Sequence, residues 1–292
     1  MAVLFRFLAH LPLPLLHNLG ALAGWLAYLA SPTYRRHVRE NTAQAGVGGA
    51  RIGSIAEAGK SIFELPKLWL RPQEEVVARV VRVSGWELVS SAWSDARAIL
   101  FLTPHLGCFE ITAQYYAAQR PITVLYRPPK QAWLRPLVEQ GRGAKLKLAS
   151  ADIAGVRLMM KALRRREAAG ILPDQVPSLG EGIWAPFFGR PAYTMTLAHR
   201  LVQQTGARML FIWAERLTAG QGYLLRVSPL TEPMPEQASD DVNGSAWQAA
   251  CAASINREME RLIRQCPGQY LWGYHRFKQP RSSAVDAPGA AA

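Results

Sequence analysis

The stretch Ala98-Ile99-Leu100-Phe101-Leu102-Thr103-Pro104-His105-Leu106-Gly107-Cys108-Phe109-Glu110 decides how this chain folds. Its first five residues are short, apolar and β-prone, Thr103-Pro104 stops the run, and Phe109 to Ala118 reads as the next helix. A base and a carboxylate therefore sit at a strand-to-helix turn. Residues five apart on a continuous helix lie about 140° around its axis, so His105 and Glu110 meet only if His105 is in the loop and Glu110 in the first turns. Held so, the carboxylate would fix the imidazole tautomer and stabilise the imidazolium while the other ring nitrogen takes a proton from a hydroxyl. Taken alone, the spacing favours a loop histidine beside an unrelated surface glutamate, and the rest of the chain has to decide.

Working outward, the pattern of strand and helix repeats. Ile122 to Tyr126, Leu146 to Ala149, Ala169 to Pro173 and Ala207 to Trp213 read as strands, and Tyr223 to Val227 as an alternating strand at an edge. Residues 131–140, 153–166, 194–205 and 247–264 read as helices. This alternation predicts an α/β fold, a mostly parallel sheet flanked by helices, with an N-terminal membrane-associated helix. Ligands in such sheets sit beyond the carboxyl ends of the strands. His105, Arg127 and Asp174 each come a few residues after a predicted strand, and their shared phase lets them converge on one site.

The N-terminus is of another kind. Leu11 to Ala30 carries no formal charge and is long enough to span ~30 Å of hydrocarbon as a helix. Pro12, Pro14, His17 and Asn18 weaken its first half, which keeps an interfacial helix and a buried core helix open beside a spanning one. Tyr28 at minus three to Ala30 speaks against signal cleavage. Arg35, Arg36 and Arg39 come directly after the run and favour a downstream domain on the cytoplasmic side. Residues 1–32 are then a membrane anchor or interfacial helix, separable from the remainder of the chain. Residues 33–94 form a helical segment packed on the main domain at 95–278, and 279–292, rich in Ser, Pro, Gly and Ala, a disordered tail.

With 292 residues, 49% of them hydrophobic, the chain can bury a large core, and its net charge of +13 implies an anionic partner without choosing among them. Nine tryptophans favour a membrane surface. Cys108, Cys251 and Cys266 have no zinc-ligand or redox spacing, which fits a reduced compartment. Gly59-Lys60-Ser61-Ile62-Phe63 lacks the last glycine of a nucleophile elbow, and Gly53 stands too far from Gly59 for a phosphate-binding loop. No metal or cofactor is expected, and the basic residues are too scattered for a nucleic-acid module. His199, among apolar neighbours, reads as a packing histidine. Arg164-Arg165-Arg166 reads as a solvated face or a dock for an acidic carrier or anionic headgroups.

Against this background the chain resembles the bacterial lipid A late acyltransferases, the lauroyl and myristoyl acyltransferases within the lysophospholipid acyltransferase superfamily. The likeness runs through Arg35-Arg36 and Asn41, the His105 to Glu110 motif, Tyr126-Arg127-Pro128 and Pro173-Asp174-Gln175. It continues through Ala185-Pro186-Phe187-Phe188-Gly189 with Thr194, and Trp272-Gly273-Tyr274-His275-Arg276-Phe277-Lys278. The resemblance implies an enzyme of the bacterial inner membrane, its catalytic domain facing the cytoplasm, that moves a fatty acyl chain from acyl-acyl carrier protein to a hydroxyl of a Kdo-bearing lipid A precursor. It makes His105 and Glu110 the catalytic dyad and Arg127, Asp174 and Gln175 substrate-binding residues, and 95–278 the acyltransferase domain. Its implied partners are acyl-acyl carrier protein, the lipid A precursor and membrane lipid. An acyltransferase acting on another lipid, a glycerophospholipid or aminolipid, is the alternative.

Overall fold

The computed structural model describes residues 2–129, 131, 133–140, 146–237, 241 and 244–281. Helices α1 (Ala2–His10), α2 (Leu13–Ala30), α3 (Pro32–Gln44), α4 (Arg51–Phe63), α5 (Leu65–Leu70) and α6 (Gln73–Val77) precede the first strand, β1 (Val80–Ser84). Next come α7 (Glu87–Ser94), β2 (Ile99–Leu102), α8 (Phe109–Ala117), β3 (Ile122–Tyr126), α9 (Arg135–Gln140), β4 (Leu146–Ser150) and α10 (Ile153–Arg164). The chain continues through β5 (Ala168–Ile171), β6 (Gly182–Phe187), β7 (Arg190–Met195), α11 (Leu197–Thr205), β8 (Arg208–Arg216), β9 (Tyr223–Pro229) and α12 (Ser245–Gln265).

Seven strands form one sheet in the order β1-β9-β8-β2-β5-β3-β4. Every pairing is parallel except the antiparallel β8–β9 pair. Strand β2 lies fourth in that order, with all four residues buried, because Ile99 and Phe101 pack on one face and Leu100 and Leu102 on the other. That is why its sequence is a continuous apolar run rather than an alternation. Helices α10, α11 and α12 cover the second face through Met159, Leu201 and Met259, while α7 and α8 cover the first through Val89 and Ile111.

Several elements differ from the sequence reading. The segment 33–94 is helical except for β1, which pairs in parallel with β9. Tyr223 to Pro229 is therefore not an edge but an inner strand, and β1 takes the edge. Only Val80 of β1 packs on the core while Val81 and Val83 are exposed, so the strand offers no alternation that periodicity could report. The predicted helix from residue 194 begins at Leu197, since Thr194 and Met195 end β7 of the β6–β7 hairpin. The turn of that hairpin, Phe188-Gly189, has both residues at positive φ. The expected tail falls largely on 282–292, outside the described residues; Arg281 itself accepts a backbone hydrogen bond from Leu179.

Helix α2 is apolar on both faces. Leu15, Leu19, Leu22, Leu26 and Leu29, three and four apart, form an exposed stripe. Leu13, Leu16, His17, Gly20 and Gly24 form the buried one. A Cβ on Gly59 of α4 would lie 1.8 Å from the Gly20 carbonyl oxygen, so only glycine lets the two helices approach this closely. Lys67 Nζ donates to the Ala9 carbonyl at 3.0 Å and ties α1 to α5.

Candidate active site

The loop between β2 and α8 is built from its backbone outward. Gly107 takes φ +61°, and a Cβ there would lie 2.0 Å from the Ala214 carbonyl oxygen, so the loop can press against β8 only with glycine at this position. Gly107 N–H donates to the Gln269 carbonyl at 3.0 Å and Cys108 N–H to that of Ala214 at 2.7 Å. The Leu271 N–H donates to the His105 carbonyl at 3.1 Å. Behind the loop, the guanidinium of buried Arg216 donates to the Gly107 carbonyl at 2.8 Å while its other face meets Glu64 at 2.6 to 3.1 Å. His17 Nε2 lies 3.2 Å from Glu64, and the Tyr223 hydroxyl donates to it at 3.0 Å. Burial pushes the Glu64 carboxyl up, but Arg216 and His17 outweigh it and hold it well below the usual carboxylate range.

The carboxylate bonded to His105 is Asp174, not Glu110. Asp174 Oδ1 lies 2.8 Å from His105 Nδ1, and Oδ2 accepts the His105 backbone N–H at 2.8 Å. One buried side chain thus fixes the ring and the backbone that carries it. Burial would raise the Asp174 carboxyl, yet the charge and two hydrogen bonds of His105, with help from Arg276, keep it below its ordinary value, so it is ionised at neutral pH. With Nδ1 donating to Asp174, Nε2 presents a lone pair, and the Gln175 side-chain amide sits 3.1 Å from it. Phe109 packs on the imidazole with ring centroids 4.8 Å apart.

Glu110 lies in the first turn of α8, as predicted, but its carboxylate accepts from Trp69 Nε1 at 3.1 Å. The sequence made this pairing look natural because five residues separate His105 and Glu110; Asp174 is remote in the chain and comes near only because β5 lies beside β2. His105, Glu110, Arg127 and Gln175 all line one cavity of about 700 Å³, with Asp174 behind His105. The loops that carry them leave the carboxyl ends of β2, β5 and β3, which are neighbours and parallel. The cavity runs inward between apolar walls that include Phe101, Ile122, Val124, Val138, Leu146 and Ile212. Gly170 of β5 also lines it, and a Cβ there would stand 3.1 Å from Val124 Cγ1. Two further cations, Arg157 and Arg200, are exposed on its lining.

The motif residues read from the sequence meet in a scaffold around this site. Asn41 Nδ2 donates to the carbonyls of Trp272 at 2.7 Å and Tyr274 at 2.9 Å, and the Tyr274 hydroxyl accepts from Val176 N–H at 2.9 Å, one residue past Gln175. Arg276 is buried and donates to the Tyr193 carbonyl and the Thr194 hydroxyl at 2.7 and 2.8 Å. Sequence reasoning missed Glu64, Arg216, Trp69 and Gln269; the Glu64–Arg216 pair joins residues 152 apart, and no local pattern marks it. His199 is a packing residue against Trp247, and burial lowers its pKa to about 4.

A histidine backed by a buried carboxylate, opening on a cavity with apolar walls at the carboxyl ends of a parallel sheet, has the arrangement of an α/β enzyme's ligand site. The chain belongs, more particularly, to the bacterial lipid A biosynthesis acyltransferase family, which it matches over residues 1–279. It is 26% identical to the lipid A biosynthesis lauroyltransferase of Escherichia coli (strain K12), over 92% of this chain and 87% of that protein. Against the palmitoleoyltransferase of the same organism the identity is 26%, over 92% and 86%. A lipid A biosynthesis acyltransferase of Haemophilus influenzae (strain ATCC 51907 / DSM 11121 / KW20 / Rd) is 24% identical over 94% and 88%.

Proposed function

We propose that this protein transfers a fatty acyl chain from the thioester of acyl-acyl carrier protein to a hydroxyl of a Kdo-bearing lipid A precursor, with His105 as general base. The observation that carries the reading is His105 Nε2 facing the apolar cavity while Asp174 holds Nδ1. The acceptor hydroxyl displaces the Gln175 amide at Nε2 and gives up its proton as its oxygen attacks the thioester carbonyl. A tetrahedral oxyanion forms, the carbon–sulfur bond breaks, and the imidazolium returns the proton to the departing thiolate. The products are an ester and a free carrier thiol, and no acyl-enzyme intervenes. Gln175 and Arg127, both on the cavity wall, supply donors to the oxyanion. Asp174 takes the orienting role in this scheme. Glu110 lines the same cavity without bonding the ring, its carboxylate taken up by Trp69. Arg157 and Arg200 suit the acidic carrier or the phosphates of the acceptor.

Helix α2 is long and apolar enough to cross a membrane. An interfacial position on the cytoplasmic side of the inner membrane suits it better, because its inner face packs on α4, which carries Arg51, Glu57 and Lys60. The test is transfer of labelled acyl chain from acyl-acyl carrier protein to a purified Kdo-bearing lipid A precursor, with the product read by mass spectrometry. The wild type should form the ester, and His105→Ala, still folded, should be slower by at least ~10²-fold. Transfer to a glycerophospholipid or aminolipid instead would select the alternative acceptor. A His105→Ala rate within a few-fold of wild type would remove His105 as the base.

A further inference from the structure

Outside the cavity, the terminal motif and α3 form a cluster the acyl-transfer chemistry does not use. His37 and His275 stack with ring centroids 4.5 Å apart and planes 20° apart. Arg190 stands over the Phe277 ring at 4.7 Å and Lys278 over the Tyr274 ring at 4.9 Å, so both cations are held by aromatic rings rather than by acids. Burial lowers the His275 pKa, and the charges that lower it further, from His37, Lys278, Arg190 and Arg36, are all positive. Of the carboxylates in this region, Glu40 lies 4.0 Å from Arg36 and is exposed, and Glu260 accepts the Phe188 N–H at 2.7 Å, at the hairpin turn beside Arg190. A fold that gathers five basic groups with so little compensation leaves a surface that gains by accepting an anion.

We propose that His37, His275, Arg190 and Lys278, with Arg36 at the rim, form a docking site for the phosphate headgroups of anionic membrane lipids. None of the five lines the substrate cavity, so the anion they receive is not the reacting lipid. Their place in the chain selects a bilayer. Helix α3 begins immediately after α2, whose exposed leucine stripe ends at Leu29, and Arg35 Nη1 donates to the Leu29 carbonyl at 3.2 Å. Tyr28 and Tyr34 meet edge to face across the junction, with centroids 6.3 Å apart. An apolar face thus passes directly into a cationic one, which is the arrangement of a surface lying at the boundary between acyl chains and headgroups. The stacked imidazoles make the docking pH-dependent. A phosphate beside the stack favours the protonated form of His275, and the charged groups around it are Arg36, paired with Glu40, on α3, Arg190 at the start of β7 and Lys278 on its own segment.

The test is flotation of the full chain with phosphatidylcholine vesicles, with and without added phosphatidylglycerol, at pH 6 and pH 8. The wild type should prefer the anionic vesicles, more so at pH 6. His275→Gln with Arg190→Gln should lose that preference by about fivefold or more at pH 6, the effect of removing one full cation, and keep its partition into neutral vesicles. His37→Gln with His275→Gln, which removes both imidazoles and leaves Arg190 and Lys278 in place, should lose the pH dependence with an unchanged unfolding midpoint. Preference equal to wild type in these variants overturns the proposal, as does an equal loss on neutral vesicles, which would place the effect in the apolar helices. Inorganic phosphate alone is a separate arm: if it shifts the histidine resonances while the anionic vesicles do not, the site takes a free ion and the proposal fails. Weakened binding of acidic carrier protein with unaltered vesicle preference would likewise overturn it. The assay contains neither acyl donor nor acceptor, so its failure leaves the acyl-transfer reading untouched.

Discussion

Two carboxylates near one imidazole can be told apart at the level of single residues. Asp174→Asn keeps the shape of the buried clamp but withdraws the charge that fixes the Nδ1–H tautomer, and it should lower turnover by about 10³-fold or more. Glu110→Gln, which leaves the ring's hydrogen bonds intact, should cost about tenfold. Single-turnover rates for both variants, beside equilibrium binding of the acceptor, decide the point; a larger loss for Glu110→Gln would return it to the role its spacing first suggested. Gly170 offers a second residue-level test. A valine there would push on Val124 and Ile122, which both line the cavity, and shorten the space for a chain. Each methylene denied burial costs about 0.8 kcal/mol, so Gly170→Val should shift preference toward a donor two or more carbons shorter. An unchanged profile across a series of acyl donors would show that the chain lies elsewhere. His105, Arg127 and Asp174 were visible in the sequence because each ends an apolar run. Which carboxylate meets the imidazole was not, because it depends on the strand order.

At the scale of the element, α2 carries two faces of different kinds. An uncharged run of that length invites a detachable anchor, yet Leu13 and Leu16 are 1% and 0% exposed and His17 covers Glu64. Burying two leucines is worth roughly 3 to 6 kcal/mol, against a total stability of about 5 to 15 kcal/mol for a domain. Deleting residues 1 to 30 would also leave the Glu64–Arg216 pair, and through it the Gly107 carbonyl, open to water. The truncated chain should therefore unfold at markedly lower temperature and lose transfer activity even in detergent micelles. A truncation that keeps its unfolding midpoint within a few degrees and its turnover intact would restore the separable anchor. The stripe of exposed leucines was legible from periodicity; the glycine contact with α4 was not, since Gly20, Gly24 and Gly59 look the same in a loop as in a close crossing. Strand β1 escaped for a related reason, since Val80 alone packs on the core and no alternation announces it.

For the molecule as a whole, the α/β alternation and the strand-end placement of the site could be read from the chain, because buried parallel strands write themselves as short apolar runs. The excess of basic residues could be counted but not located; the fold assembles one group of them from α3, β7 and the terminal motif, far apart in sequence. The Gln175 amide at 3.1 Å from His105 Nε2 carries one more consequence. A base whose lone pair is already occupied does not activate a passing water molecule. On the proposed mechanism, a thioester in the cavity with no acceptor present meets a stoppered base, and the activated chain is not squandered on hydrolysis. In that scheme the hydroxyl that evicts the amide unlocks the base in the same motion that brings the attacking oxygen into place. Selectivity for an alcohol over water, the far more abundant nucleophile, then rests partly on a single movable side chain.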